Sequence, residues 1–115
     1  MIKSFQYALQ GFLSAIRSEV NLRFHIAVTV TVVTAGFWLK LEITEWCIVI
    51  LCIGAVVGFE LLNTALEQLC NHTTPDEHPA IKKIKDISAA AVLLVSLASV
   101  IVGLLIFLPK LIDKF

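Results

Sequence analysis

The sequence predicts an all-α membrane protein, in which an amphipathic N-terminal helix precedes three transmembrane helices. Of the 115 residues, 58% are hydrophobic and only 16% are charged, and the mean hydropathy is +0.91. A soluble domain of this length has too little interior to bury so many apolar side chains, so a bilayer is the expected solvent. The length allows one domain, and the net charge of zero gives no reason to expect nucleic-acid binding.

The first predicted element is an amphipathic surface helix over about residues 3–20. Its apolar residues recur at helical spacing, and they are Phe5, Leu9, Phe12, Leu13, Ile16 and Val20. Polar and charged residues occupy much of the remainder, so we expect this helix to lie in the membrane interface with its apolar face down. A soluble core helix would show the same pattern, but the apolar remainder of the chain disfavours it. A charged, amphipathic opening also argues against a cleaved signal peptide.

Two apolar runs then predict the first two transmembrane helices. Residues 24–39 contain no Lys, Arg, Asp or Glu, and with their flanks they predict a span over about 22–40. A short polar turn follows, in which Thr44 is a candidate N-cap. The second span is predicted over about 45–70, with two carboxylates in its last third. Gly54 and Gly58 on this span would allow close approach of neighbouring helices.

The third span is the clearest of the three. Residues 71–86 contain two prolines and clustered polar side chains, which predict a loop. Residues 87–109 then form an unbroken uncharged run, long enough to cross a bilayer. The three cysteines lie at 47, 52 and 70 with no CxxC spacing, so small membrane-compatible side chains are the better interpretation than a disulfide or a metal site.

The basic residues are distributed unevenly between the two predicted sides of the membrane. With three spans, the N-terminal segment and the 71–86 loop share a side. That side holds Lys3, Arg17, Arg23, Lys82, Lys83 and Lys85, whereas the other holds Lys40, Lys110 and Lys114. The positive-inside rule therefore predicts that the N-terminus and the second loop are cytosolic.

The candidate functional residues form an acidic cluster near the end of the second span. Glu60, Asn63 and Glu67 are spaced i, i+3 and i+7, which places them on one helix face. Ionisable residues in a spanning helix are costly and usually functional. Glu19 and Asp86 lie on the same predicted side, and carboxylates beside lysines suit a divalent cation that bridges phosphates. The alternatives are that these glutamates are structural hydrogen-bonding groups or exposed helix ends, and that the lysines only contact anionic headgroups.

Several segments in the same order resemble one known family. Glu60-Leu-Leu-Asn63-Thr64-Ala65-Leu-Glu67 resembles the signature of the bacterial integral-membrane diacylglycerol kinases and undecaprenol kinases. The segments 4–11, 17–25, 75–79 and 85–86 are similar to further blocks of that family. The resemblance covers nearly the whole chain.

The resemblance implies a role for each matching residue. Glu60 would be the catalytic base on the lipid hydroxyl, Glu19 and Glu67 would bind the Mg²⁺ that travels with ATP, and Asn63 would support the acids. The nucleotide would contact Tyr7, Glu19, Glu67, Asp76, Glu77, His78, Lys85 and Asp86. The lipid would contact Gln10, Ser14, Arg23, Glu60 and Ala89, the last of which is serine in some diacylglycerol kinases. The family also implies a homotrimer in the bacterial cytoplasmic membrane, with active sites built between subunits.

Two points remain open at this stage. Asn71 stands where the family usually has an aspartate, so a salt bridge at that position is in doubt. The compact N-terminus, the Asn63-Thr64-Ala65 spelling and the ending at 105–110 are closer to the undecaprenol kinase branch, with diacylglycerol as the alternative substrate.

Two alternatives belong to other functional classes. One is a small multidrug-type proton-coupled transporter, which also depends on a membrane glutamate. The other is a non-catalytic membrane scaffold.

Overall fold

The protein is a set of long helices. A computed structural model describes residues 1–73 and 78–115. This part of the chain forms α1 (Ile2–Ser18), α2 (Val20–Leu39), α3 (Ile43–Thr73) and α4 (Pro79–Lys114). The last three are each long and apolar enough to cross a membrane, which confirms the prediction of an all-α membrane protein with three candidate spans. α3 and α4, with 31 and 36 residues, both exceed the roughly 20 residues that cross a hydrocarbon core.

The junction between α1 and α2 is a single extended residue. Glu19 has φ −118° and ψ 114°, and its N–H donates to the carbonyl of Ala15. Nη1 of Arg23 donates to the carbonyl oxygens of Ile16 and Arg17, at 3.2 and 3.0 Å. The last carbonyls of a helix have no partner inside it, so this guanidinium completes the end of α1. The predicted helix over 3–20 therefore ends at Ser18.

The apolar residues of α1 are not buried against the rest of this chain. Ala15 is its one buried residue, whereas Phe5 and Leu9 are 74% and 52% exposed. The amphipathic surface role of this helix therefore stays a prediction.

The turn between α2 and α3 is closed by backbone hydrogen bonds and tight packing. Lys40 takes the left-handed conformation, its N–H donates to Phe37, and the N–H of Leu41 donates to Gly36, as in a Schellman motif. A Cβ on Gly36 would lie 2.6 Å from Cη2 of Trp46. The absence of a side chain at residue 36 is what lets these two helices meet here.

The N-cap prediction for α3 is wrong. Thr44 lies inside the helix, which begins at Ile43. Instead, Oε1 of Glu45 accepts from the N–H of Glu42, at 2.9 Å, which is the glutamate half of a capping box. The same Oε1 lies 3.0 Å from Nζ of Lys110 near the end of α4, so the start of α3 contacts the end of α4.

The predicted loop over 71–86 is largely helical. α3 continues to Thr73, and α4 begins at Pro79. A proline at the first helical position has a suitable fixed φ and lacks only an N–H that would be unpaired anyway. Nδ1 of His78 accepts from the N–H of Ala80, at 3.1 Å, as an N-cap. The predicted loop over 71–86 is therefore too long at both ends, and Pro79 marks the start of a helix.

The apolar surface of the chain is mostly uncovered. No residue of α4 is buried, and Leu94 and Leu105 are 72% and 71% exposed. Ideal Cβ atoms on Gly54 and Gly58 would meet no atom of another helix within 4 Å, so no described helix of the same chain approaches closely at these glycines. The three cysteines are free, as expected.

Candidate active site

Three polar residues of α3 are buried although most of the chain is exposed. Glu60, Asn63 and Thr64 retain 4%, 8% and 4% of their accessible surface. A carboxylate removed from water needs a partner. Oε2 of Glu60 lies 3.6 Å from Nε2 of His25 on α2, so this partner comes from a different helix.

The predicted stripe on α3 is also held together internally. Nδ2 of Asn63 donates to Oε1 of Glu67 at 3.1 Å, one helical turn further along. Oδ1 of Asn63 is buried and accepts no hydrogen bond from the residues that the structure describes. Buried polar atoms in native proteins nearly always have a partner, so this oxygen is available to a bound group.

Glu19 joins the cluster from the α1–α2 junction. The negative charges of Glu19 and Glu67 both act on Glu60, so residues from two parts of the chain contribute to one electrostatic cluster. Across the two described segments, the carboxylate of Glu19 makes no hydrogen bond or ion pair with another side chain. Like charges that act on one group favour a bound cation or a proton.

The donor set fits a hard divalent cation that brings other ligands with it. In residues 1–73 and 78–115 no group of three His, Cys, Asp or Glu side chains is arranged to hold a metal ion alone. Mg²⁺ commonly takes one or two carboxylates and completes its shell with water and substrate phosphates. The prediction that Glu19 and Glu67 bind the metal is compatible with this number of carboxylates.

Two clefts border α1 near this cluster. One is lined by Gln10, Leu13, Ser14, Arg17 and Ser18. The other, of about 580 Å³, lies between α1 and α3 and is lined by Ala8, Gly11, Phe12, Ser14, Ala15, Leu61, Thr64, Ala65 and Gln68. Ser14 lines both clefts. The second cleft is also lined by the buried Thr64, which is the next residue after Asn63 in the sequence. The predicted lipid contacts at Gln10 and Ser14 therefore lie in clefts.

The other predicted lipid contacts are placed differently. The guanidinium of Arg23 donates hydrogen bonds to the last carbonyls of α1. Ala89 is exposed on α4.

Three predicted nucleotide contacts, His78, Lys85 and Asp86, lie at the start of α4, whereas Glu19 and Glu67 belong to the cluster around Glu60. Nζ of Lys82 lies 2.7 Å from Oδ2 of Asp86, and Nζ of Lys85 donates to Oδ1 of Asn71 on α3. The amide at residue 71 thus keeps the acceptor that an aspartate would supply, without its charge. Tyr7 is 67% exposed on α1. Asp76 and Glu77 lie outside the described residues.

His25 is the residue that the sequence reasoning missed. It lies within the first predicted span, a run defined by the lack of Lys, Arg, Asp and Glu. An ionisable side chain at such a position is a functional candidate by default, so the signal was present in the sequence. The sequence did not show that Glu60 is the partner of His25.

Comparisons with known proteins agree with the resemblance. A family model described as prokaryotic diacylglycerol kinase matches residues 6–107. The chain is 45% identical over 109 residues to the undecaprenol kinase of Bacillus subtilis, which covers 95% of this chain and 89% of that protein. It is 39% identical over 114 residues to a diacylglycerol kinase of Synechocystis, with 98% and 65% covered. A diacylglycerol kinase of Pseudomonas aeruginosa is 32% identical over 104 residues, with 84% of each chain covered.

Proposed function

This chain belongs to the prokaryotic diacylglycerol kinase family and is a lipid kinase, and from that premise we propose that it phosphorylates the hydroxyl of undecaprenol with ATP and Mg²⁺. The choice of lipid is supported by the 45% identity to an undecaprenol kinase over 95% of the chain. Diacylglycerol is the second candidate, supported by the two diacylglycerol kinases. Membership of a kinase family replaces the transporter and scaffold hypotheses.

The observation that carries the mechanism is the buried carboxylate of Glu60. It is 4% exposed, its Oε2 faces His25, and its other oxygen makes no hydrogen bond with the residues that the structure describes. In the proposed reaction this carboxylate takes the proton of the lipid hydroxyl while the hydroxyl oxygen bonds to the γ-phosphorus of ATP. The bond from that phosphorus to the bridging oxygen breaks, and ADP leaves.

Glu19 and Glu67 are the proposed ligands of the Mg²⁺ that accompanies ATP. When bound, the metal neutralises charge on the phosphate oxygens. Asn63 holds one oxygen of Glu67 through its Nδ2, which fixes the direction of that carboxylate. Its unpaired Oδ1 would be free to accept a hydrogen bond from a water molecule that accompanies the metal.

The proposed substrate contacts follow the surfaces around this cluster. The lipid lies along the clefts that Gln10 and Ser14 line, and the family resemblance adds Arg23 and Ala89 as lipid contacts. The nucleotide contacts Tyr7, Asp76, Glu77, His78, Lys85 and Asp86 together with Glu19 and Glu67. We place α1 in the interface of the bacterial cytoplasmic membrane, with this end of the molecule in the cytosol because it carries most of the basic residues.

We further propose that the working form is a homotrimer. Among the residues that the structure describes, no hydrogen bond or ion pair joins the start of α4 to Glu60, so an active site completed by a neighbouring subunit would bring the nucleotide contacts to the base. The uncovered apolar surface of α4 and the open sides of Gly54 and Gly58 are available to a second copy.

The experiment is a transfer assay on the purified protein in lipid micelles with ATP, Mg²⁺ and either undecaprenol or dioleoylglycerol. Transfer to neither lipid would overturn the proposal, and the ratio of the two kcat/KM values decides the substrate. Glu60→Gln should lower kcat by about 10²- to 10⁴-fold. Glu45→Gln, at the other end of the same helix, is the matched control and should keep the wild-type rate.

A further inference from the structure

His25 reaches the reactive carboxylate of the site from a second helix. Its Nε2 lies 3.6 Å from Oε2 of Glu60, and the two side chains are 18% and 5% exposed. Among the residues that the structure describes, this is the one side chain paired with Glu60. The other charges that act on Glu60 are the carboxylates of Glu67 and Glu19, so His25 is the neighbour that can offset them.

The position of His25 is fixed by the packing of α2. Leu22, one turn earlier on the same helix, is fully buried. Arg23 ties the first turn of α2 to the end of α1 through two hydrogen bonds. The backbone carbonyl of His25 accepts from Oγ1 of Thr29 at 2.8 Å. The backbone of His25 therefore has a fixed position relative to α3, which a residue on a loop would lack.

We propose that His25 is a positioning residue for Glu60: the Nε2–H of its ring holds one carboxylate oxygen and leaves the other for the lipid hydroxyl. This inference rests on the proposed role of Glu60 as the base. A carboxylate on a flexible glutamate side chain that is repelled by two like charges has several accessible directions. A single donor from a neighbouring helix selects one of them.

The distance suits such a role. At 3.6 Å the contact is longer than a hydrogen bond, but catalytic hydrogen bonds are often long without substrate and shorten when it binds. Small displacements matter at this step, because a 1 Å misplacement of a reacting group can cost about 10²-fold in rate. The effect of His25 should therefore appear in kcat rather than in nucleotide binding.

The chain offers a matched set of substitutions at this residue. The amide nitrogen of glutamine lies about as far along the side chain as Nε2 of histidine, whereas that of asparagine stops one carbon earlier. His25→Gln should keep kcat within about threefold of wild type. His25→Asn and His25→Leu should lower kcat by about tenfold to a hundredfold, with the KM for ATP unchanged.

The same substitutions made in the Glu60→Gln background separate this inference from the assignment of the base. If His25 acts through Glu60, then Glu60→Gln/His25→Leu has the residual rate of Glu60→Gln alone. A near-wild-type rate for Glu60→Gln overturns the base assignment and the role of His25 with it. If Glu60→Gln is inactive but His25→Leu and His25→Asn keep the wild-type kcat, only the role of His25 is wrong.

A purely structural role for His25 gives a different pattern. All three substitutions would then lower the thermal midpoint and the activity in parallel, and glutamine would not restore kcat. That pattern would overturn the positioning role. Glutamine rescue at equal thermal midpoints supports it.

Discussion

The contact between Gly36 and Trp46 allows a prediction whose magnitude follows from the structure. In Gly36→Ala the new Cβ would lie 2.6 Å from Cη2, 3.0 Å from Cζ2 of Trp46 and 3.1 Å from Cδ1 of Leu41. Carbon atoms pack at about 3.5–4.0 Å, so the indole edge must move by about 1 Å. The ring is rigid and lies against Phe37, with their centroids 4.9 Å apart, so it has little freedom to move.

The two opposing contributions can be compared. Overpacking of this kind costs about 1–3 kcal/mol, whereas replacing a helical glycine by alanine gains about 0.5–1 kcal/mol through the unfolded chain. We therefore expect Gly36→Ala to lower the free energy of unfolding by about 1–2 kcal/mol. Gly103→Ala is the control, because its Cβ would meet nothing within 4 Å, and it should be neutral or stabilising.

The assay is unfolding by sodium dodecyl sulfate in mixed micelles, followed by tryptophan fluorescence, which also reports any movement of Trp46. In a Trp46→Leu background the penalty of Gly36→Ala should largely disappear, since the clashing ring is gone. Kinase activity below the transition should be unchanged, because residue 46 lies about 21 Å along α3 from Glu60. If Gly36→Ala is as stable as Gly103→Ala, the close packing at this turn is refuted.

Three further variants test other parts of the molecule. Glu67→Gln should raise the Mg²⁺ concentration for half-maximal rate by about tenfold or more, and an unchanged Mg²⁺ titration would remove Glu67 from the metal site. Asn71→Asp should add about 0.2–1 kcal/mol of stability by giving Lys85 an ionic partner; the gain should shrink in high salt, and a salt-independent gain would contradict this reason. Lys110→Met and Glu45→Gln should each lower the unfolding midpoint, and the double variant should lose less than the sum. Strictly additive losses would mean that this ion pair contributes no stability.

The sequence alone predicted most of the secondary structure and the candidate membrane spans. Helix content and the three candidate spans depend on runs of apolar residues, which are properties of contiguous segments. The shared face of Asn63 and Glu67 follows from helical spacing, and their hydrogen bond confirms it. The roles of Glu60, Glu19 and Glu67 came from the resemblance, and they stay predictions.

Local reasoning failed where one signal has two meanings. Proline and polar residues mark either a loop or the first turn of a helix, and at Pro79 they mark a helix start. At the α2–α3 turn, Thr44 was a reasonable cap by composition, but Glu45 caps the helix because the chain enters α3 at Glu42. In both places the outcome depends on backbone geometry that composition does not specify.

Only the tertiary structure decided which helices meet and through which residues. The sequence predicted close helix approach at Gly54 and Gly58, but the tight contact is at Gly36. The side chain of Arg23 completes the end of α1, a contact that the sequence did not predict. The sequence named no partner for Glu60, which faces His25 thirty-five residues away in sequence. Helical periodicity specifies the face on which a residue lies, whereas the relative rotation and crossing of two helices determine which residue it meets.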